Sequence, residues 1–141
     1  MQKIYEYLEK LDLIRDLPLF LMRIVLAYGF WAPGMKKYEN FDSIVGWFTS
    51  LGIPLPTLNA YLATATELVG AVLILLGLFT RLISIPLIVV MLVAIFTVHI
   101  SNGFEASNNG FEIPLYYLLM LLSLVAFGGG KISLDHVLNK K

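Results

Sequence analysis

Thr57–Phe79, TLNAYLATATELVGAVLILLGLF, is a mostly apolar run with one carboxylate, Glu67, near its middle. A helix of that length crosses the hydrocarbon core of a bilayer, which takes about 20 apolar residues. Lipid cannot solvate an ion, so Glu67 must be paired, face a polar cavity or belong to a working site. A buried structural ion pair accounts for it as readily as a functional role does. Any fold for this chain has to accommodate both the helix and its carboxylate.

The remaining sequence extends that constraint. Charged residues make up 14% of the 141-residue chain and hydrophobic residues 58%, whereas soluble domains carry about 25% charge. A single soluble domain of this length has too little interior to hide so much apolar surface, so lipid has to match it. Ten basic and ten acidic side chains cancel. No field or basic aromatic groove attracts nucleic acid, and no nucleic-acid role is expected. With no cysteine, thiolate metal sites, cysteine-ligated iron–sulfur clusters and CxxC redox chemistry are excluded. The two histidines, His99 and His136, fall at opposite ends of the expected spans and cannot share one metal or haem.

Residues 1–16 place Ile4, Tyr7, Leu8, Leu11 and Ile14 on one helical face and Lys3, Glu6, Glu9, Lys10 and Asp16 on the other. This predicts an amphipathic helix lying in the membrane interface. Its acids differ from the basic start of a signal peptide, so the segment is expected to be retained. A membrane domain over 17–141 follows, with four spans at about 17–35, 57–79, 82–100 and 111–127. Pro18 suits a first helical turn, and Pro33 is expected to bend or stop the first span. Phe41–Ile53 is too short to cross and reads as an outer interfacial helix carrying Trp47. Thr80-Arg81 is a tight connection, which makes the third span antiparallel to the second. Each Asn-Gly in SNGFEASNNGFE signals a local turn. Gly128-Gly129-Gly130 ends the fourth span, and Ser133 caps a short tail helix. The fold class expected is therefore all-α, an integral membrane four-helix bundle with two interfacial helices.

With four spans, Lys3, Lys10, Arg15, Arg81, Lys131, Lys140 and Lys141 share one side, and only Lys36 and Lys37 lie on the other. The basic excess marks the cytoplasmic face. Both termini are expected there, in the cytoplasmic (inner) membrane of a bacterium or archaeon.

Two polar groupings stand out. At a rise of 1.5 Å per residue, Glu67 lies about 15 Å from the outer edge and Arg23 about 8 Å from the cytoplasmic edge. Ala60, Ala63, Thr64, Gly70, Ala71 and Gly77 share the face of Glu67 and are small, as helix contacts in membranes require. Arg23, Ala27 and Phe30 form a stripe on the first span, with Gly34 following. An Arg23–Glu67 pair solves both desolvation problems; the alternative for Arg23 is snorkelling to the headgroups. Lys36 and Lys37, His99, Asn102 and Glu112 end or begin three spans at one outer depth and form a second candidate grouping. Plain readings exist for each: snorkelling for Lys36, a helix-end residue for His99, a dipole contact for Glu112. Trp31, Trp47, Tyr28, Tyr61, Tyr116 and Tyr117 can wall a cavity or sit in interface belts. GGGK at 128–131 is not a Walker motif, because Val125 and Ile132 occupy the required glycine and hydroxyl positions.

Taken in order, these motifs resemble one family. Arg23 with Gly34-x-Lys36, Leu51-Gly52-Ile53-Pro54, Glu67-Leu68-Val69-Gly70 and Gly77-Leu78-Phe79-Thr80-Arg81 are similar to the DoxX family. So are His99 with Asn102-Gly103-Phe104, Glu112 before Pro114, and Ser133-Leu134-Asp135. Gly129 stands where the family usually has proline. The resemblance implies a small four-span bacterial or archaeal membrane protein. It also implies association with quinone-linked oxidation, as in thiosulfate:quinone oxidoreductase and terminal quinol oxidase complexes. Two functions are then carried forward. The first is a subunit that binds quinone or a small reductant and feeds the quinone pool, with other membrane or redox subunits as partners and no covalently bound cofactor. The second is a non-enzymatic ligand-binding, transport or scaffold protein. The lipid bilayer is a partner in both, and a homo-oligomer is compatible with either.

Overall fold

The computed structural model describes residues 4–5 and 11–140. The expected amphipathic helix over 1–16 lies largely outside the described residues; within it, Leu11–Ile14 forms a 3-10 turn. Among the described residues the chain is helical, without strands. Helix α1 is Asp16–Glu39, α2 is Phe41–Ser50, α3 is Pro56–Leu76 and α4 is Thr80–Ala94. A π turn, Ile95–His99, and a 3-10 turn, Ile100–Asn102, prolong α4. Helix α5 is Glu112–Phe127, and α6, Leu134–Leu138, closes the tail.

Among the described residues, three helices are long and apolar enough to cross a membrane: Asp16–Glu39, Pro56–Leu76 and Thr80–Asn102. The fourth expected span, α5, is apolar but shorter, at 16 residues. The first helix runs past its expected end, through Pro33 to Glu39. Proline removes only its own N–H bond and crowds the carbonyl one turn back. Packing on both sides of it, through Phe30 and Gly34, holds the helix together there. The remaining breaks follow the sequence. Pro56 opens α3 at the position where proline's missing N–H is harmless. Gly77, at φ 67°, ends it in a Schellman turn, with Leu78 N–H donating to Leu73 O at 3.0 Å and Gly77 N–H to Ile74 O at 3.1 Å.

All four long helices contribute to one core. Leu26 and Phe30 come from α1, Ala71 and Ile74 from α3, Leu87 and Met91 from α4, and Leu121 and Leu124 from α5. Helix α1 packs along α3, and α5 along α4. The α3 face is small as anticipated: Ala60, Thr64, Glu67, Gly70 and Ala71 are buried. A Cβ at Gly34 would meet Leu68 at 2.9 Å, and one at Gly70 would meet Leu87 at 2.9 Å. These glycines therefore set how closely the helices approach, the packing that holds helices together where lipid offers no hydrophobic drive.

Candidate functional site

The contact face of α1 is a stripe of alternating three- and four-residue steps: Arg23, Ala27, Phe30, Gly34 and Lys37. Such steps keep residues on one side of a helix. Because α1 and α3 are antiparallel, the two ends of this stripe meet different parts of α3. Gly34 lies against Glu67 and Leu68, while Arg23 lies level with Ile74 and Leu75. Ile74 lies seven residues beyond Glu67, so Arg23 and Glu67 are roughly 10 Å apart along the axis. The expected Arg23–Glu67 pair is not formed.

Glu67 instead pairs with Lys37. The ammonium donates to Oε2 at 2.8 Å and to Oε1 at 3.0 Å. The Glu67 side chain is 4% exposed and that of Lys37 15%. Lys37 leans back from the helix end to bring its charge to the buried carboxylate, and its apolar stem covers helix surface on the way. Both carboxylate oxygens are satisfied, which a buried ion requires.

Arg23 is 1% exposed and does not snorkel. Its guanidinium donates only to backbone carbonyls: Nε to Ile74 O at 2.8 Å, Nη2 to Leu75 O at 2.6 Å, and Nη1 to Gly129 O at 3.0 Å and Ile132 O at 2.5 Å. The last carbonyls of a helix lack intrahelical partners and carry its negative dipole end. In lipid such groups have to be satisfied inside the protein. Arg23 caps α3 and ties that end to the glycine segment after α5. Asp135 complements it from the tail. Its oxygens accept from Phe79 N–H at 2.7 Å and Thr80 N–H at 2.8 Å, capping the start of α4, while Asp135 N–H donates to Gly77 O at 2.9 Å. Phe79 is held in the left-handed region at φ 51°.

The outer candidates form a loop scaffold. His99 ends the π turn, and its Nδ1, which must carry the proton because its partner is a carbonyl, donates to Asn109 O at 2.8 Å. Asn102 Nδ2 donates to the same carbonyl at 3.2 Å. Glu112 accepts from Ala106 N–H at 2.9 Å and from the Tyr116 hydroxyl at 3.1 Å. The segment closes on itself through Phe111 N–H to Gly103 O and Glu112 N–H to Phe104 O, each 3.0 Å. His99, Asn102 and Glu112 thus gather on one loop. Lys36 is exposed and does not join them, and Arg23 and Glu67 belong to separate centres. Tyr61 and Tyr116 face outward, while Tyr28 and Trp31, also exposed, border an open cleft on the α1–α3 face.

One apolar cleft of about 270 Å³ opens between α1 and α3, lined by Ile24, Ala27, Tyr28, Trp31, Ala71 and Val72 with Leu75. Trp31 and Ala71 are one helical turn from the level of Gly34 and Glu67. The ion pair therefore stands one turn from the cleft.

The DoxX family model matches residues 18–100, the region that holds the stripe, the ion pair, the cleft and α4. This chain belongs to the DoxX family. Among DoxX-type relatives, an uncharacterized protein of Haemophilus influenzae is 36% identical over 95% of this chain and 100% of its own length. "Putative oxidoreductase CatD" of Bacillus subtilis is 32% identical, covering 82% of each chain. "Inner membrane protein YphA" of Escherichia coli is 38% identical over 50% of this chain and 51% of its own. No solved structure gives a significant match. The chain is a DoxX membrane protein.

For this DoxX chain, the sequence places Lys37 in the outer grouping without pairing it to Glu67, and it assigns Asp135 no role. Lys37 was available by extending the stripe three residues past Gly34; Lys36 lies off that stripe. Asp135 carried no periodic signal, because its partners are backbone N–H groups 55 and 56 residues away.

Proposed function

We propose that this protein is a quinone-linked component of the cytoplasmic membrane, in which the α1–α3 cleft takes the quinone ring and the Lys37–Glu67 pair serves as its proton-exchanging neighbour. In this reading α1, α3, α4 and α5 form a four-helix bundle. Helix α2 lies in the outer interface, and the basic tail end faces the cytoplasm. The observation that carries the proposal is a buried ion pair, in a membrane helix, one turn from an apolar cleft open toward lipid. The cleft lining suits a hydrophobic ring, with Trp31 and Tyr28 as flat or polar-tipped contacts. Reduction of a quinone consumes two electrons and two protons. The electrons come from a partner redox subunit or a small reductant. Lys37 holds a proton at Nζ beside the carboxylate that stabilises it, and its partial exposure gives a route for reprotonation from the outer side. The relationship to an oxidoreductase-named relative agrees with this direction.

The second reading, a non-enzymatic binding or scaffold protein, draws on how completely Arg23 and Glu67 are satisfied within the fold. One titration separates them. In a Trp47→Phe background, a short-chain quinone added to the detergent-solubilised protein should quench Trp31 fluorescence saturably, and Val72→Phe, which fills the cleft, should abolish the saturation. Non-saturable quenching, equal in both proteins, leaves the scaffold reading.

A further inference from the structure

At the opposite end from the ion pair, a second and larger groove of about 1000 Å³ runs between the start of α1, the α3–α4 turn and the glycine segment after α5. Arg15, Arg81 and Lys131 line it and are exposed. Two carboxylates line it too, but they are engaged inward. Asp16 is 8% exposed and accepts from Lys131 N–H at 2.9 Å, and both oxygens of Asp135 are used by Phe79 and Thr80 N–H. The cations have no carboxylate partner among the described residues, while the groove's carboxylates are spent on backbone N–H groups. Among the described residues, the one buried side-chain polar atom without a partner also lies here: Thr80 Oγ1, on a residue 0% exposed that lines the groove. The flanks are apolar, with Phe79, Leu82 and Phe127 all strongly exposed. Polar groups at a groove floor with large exposed apolar side chains beside them match a ligand that is anionic at one end and greasy along its length.

We propose that this groove is a binding site for an anionic phospholipid, whose phosphate meets Arg15, Arg81 and Lys131 and whose acyl chains lie along Phe79, Leu82 and Phe127. Basic pockets between membrane helices hold anionic headgroups by this chemistry. Arginine's planar fork suits phosphate oxygens, and Arg81 keeps donors to spare beyond its single bond to Ala126 O at 3.2 Å. A bound lipid would fasten together α1, α4 and the tail, the three segments that already meet there through Asp16 and Asp135.

The test is lipid retention by native mass spectrometry. The full chain is purified in detergent and exposed in parallel to dioleoylphosphatidylglycerol, dioleoylphosphatidylcholine and inorganic phosphate. The expected result is retention of phosphatidylglycerol over phosphatidylcholine, with a roughly five-fold weakening for each of Arg81→Gln and Lys131→Gln. Equal retention of the two lipids by the unaltered protein overturns the proposal without recourse to a variant. So does undiminished retention in a folded Arg81→Gln/Lys131→Gln double variant. Displacement of the lipid by inorganic phosphate at equal concentration assigns the groove to a free anion and also overturns it.

Discussion

Lys37 Nζ lies 2.8 Å from Glu67 Oε2, joining α1 to α3 across 30 residues of sequence and placing a full ion pair among membrane-capable helices. The pair fixes the register of the two helices. A slip of α1 by one turn would carry the ammonium about 5 Å along the axis and strand the carboxylate. Specificity of register is the best-attested use of such buried polar contacts.

Removing one partner should therefore cost far more than removing both. Glu67→Leu or Lys37→Met leaves a buried charge alone, a loss of about 3–5 kcal/mol. The double variant Lys37→Met/Glu67→Leu should recover most of it. Thermal unfolding in one detergent measures the cycle, and additive losses would show that the two residues do not act as a pair. A folded double variant that no longer shows saturable Trp31 quenching by quinone would separate the pair's functional role from its structural one.

Arg23 should tolerate no conservative replacement. Its fork reaches four carbonyls on two segments, and a lysine offers one compact charge in place of that spread. Arg23→Lys is expected to loosen the tail before it unfolds the helices. Limited proteolysis should then cut within Ile132–Asn139 several times faster than in the unaltered protein. Unchanged cleavage would mean the tail is held by Asp135 alone.

Periodicity carried most of the architecture. The apolar runs place α1, α3 and α4, the small residues give the α3 contact face, and Pro56 and Gly77 bound α3. Pairing across helices was harder to read. Counting helical rise inward from Pro18 and Thr57 leaves Arg23 and Glu67 about 7 Å apart in depth, a gap an arginine can reach; in the fold the antiparallel register sets Arg23 at the α3 end and Lys37 at the carboxylate. Contacts between side chain and distant backbone leave no periodic trace, which is why the roles of Arg23 and Asp135 emerge only in three dimensions. The outer residues His99, Asn102 and Glu112 gather on one loop, and their bonds serve that loop's own backbone.

Glu112→Ala should act on that loop alone. Two bonds are lost, from Ala106 N–H and from Tyr116 Oη–H, at an exposed site where each contributes about 1 kcal/mol. Hydrogen exchange should quicken at Ala106 while the amides of α3 and α4 stay protected. A global rise in exchange would show that the loop buttresses the helices.

Gly77 and Gly46 form a matched pair for testing the Arg23 centre. Gly77 sits at φ 67°, where an L side chain is strained, and a Cβ there would meet Arg23 Nη2 and Ser133 Cβ, both at 2.5 Å. Gly77→Ala has to distort the Schellman turn or push the guanidinium off Leu75 O, so it should lower stability by about 1–3 kcal/mol. Gly46 lies inside α2 with open space around its Cβ position. There the same substitution removes backbone freedom from the unfolded chain and should raise stability by about 0.5–1 kcal/mol. Opposite signs for one chemical change, read from unfolding midpoints in the same detergent, would locate the constraint in the geometry around Arg23. If Gly77→Ala were neutral, the α3 end would be plastic, and the carbonyl capping by Arg23 would not be what holds it.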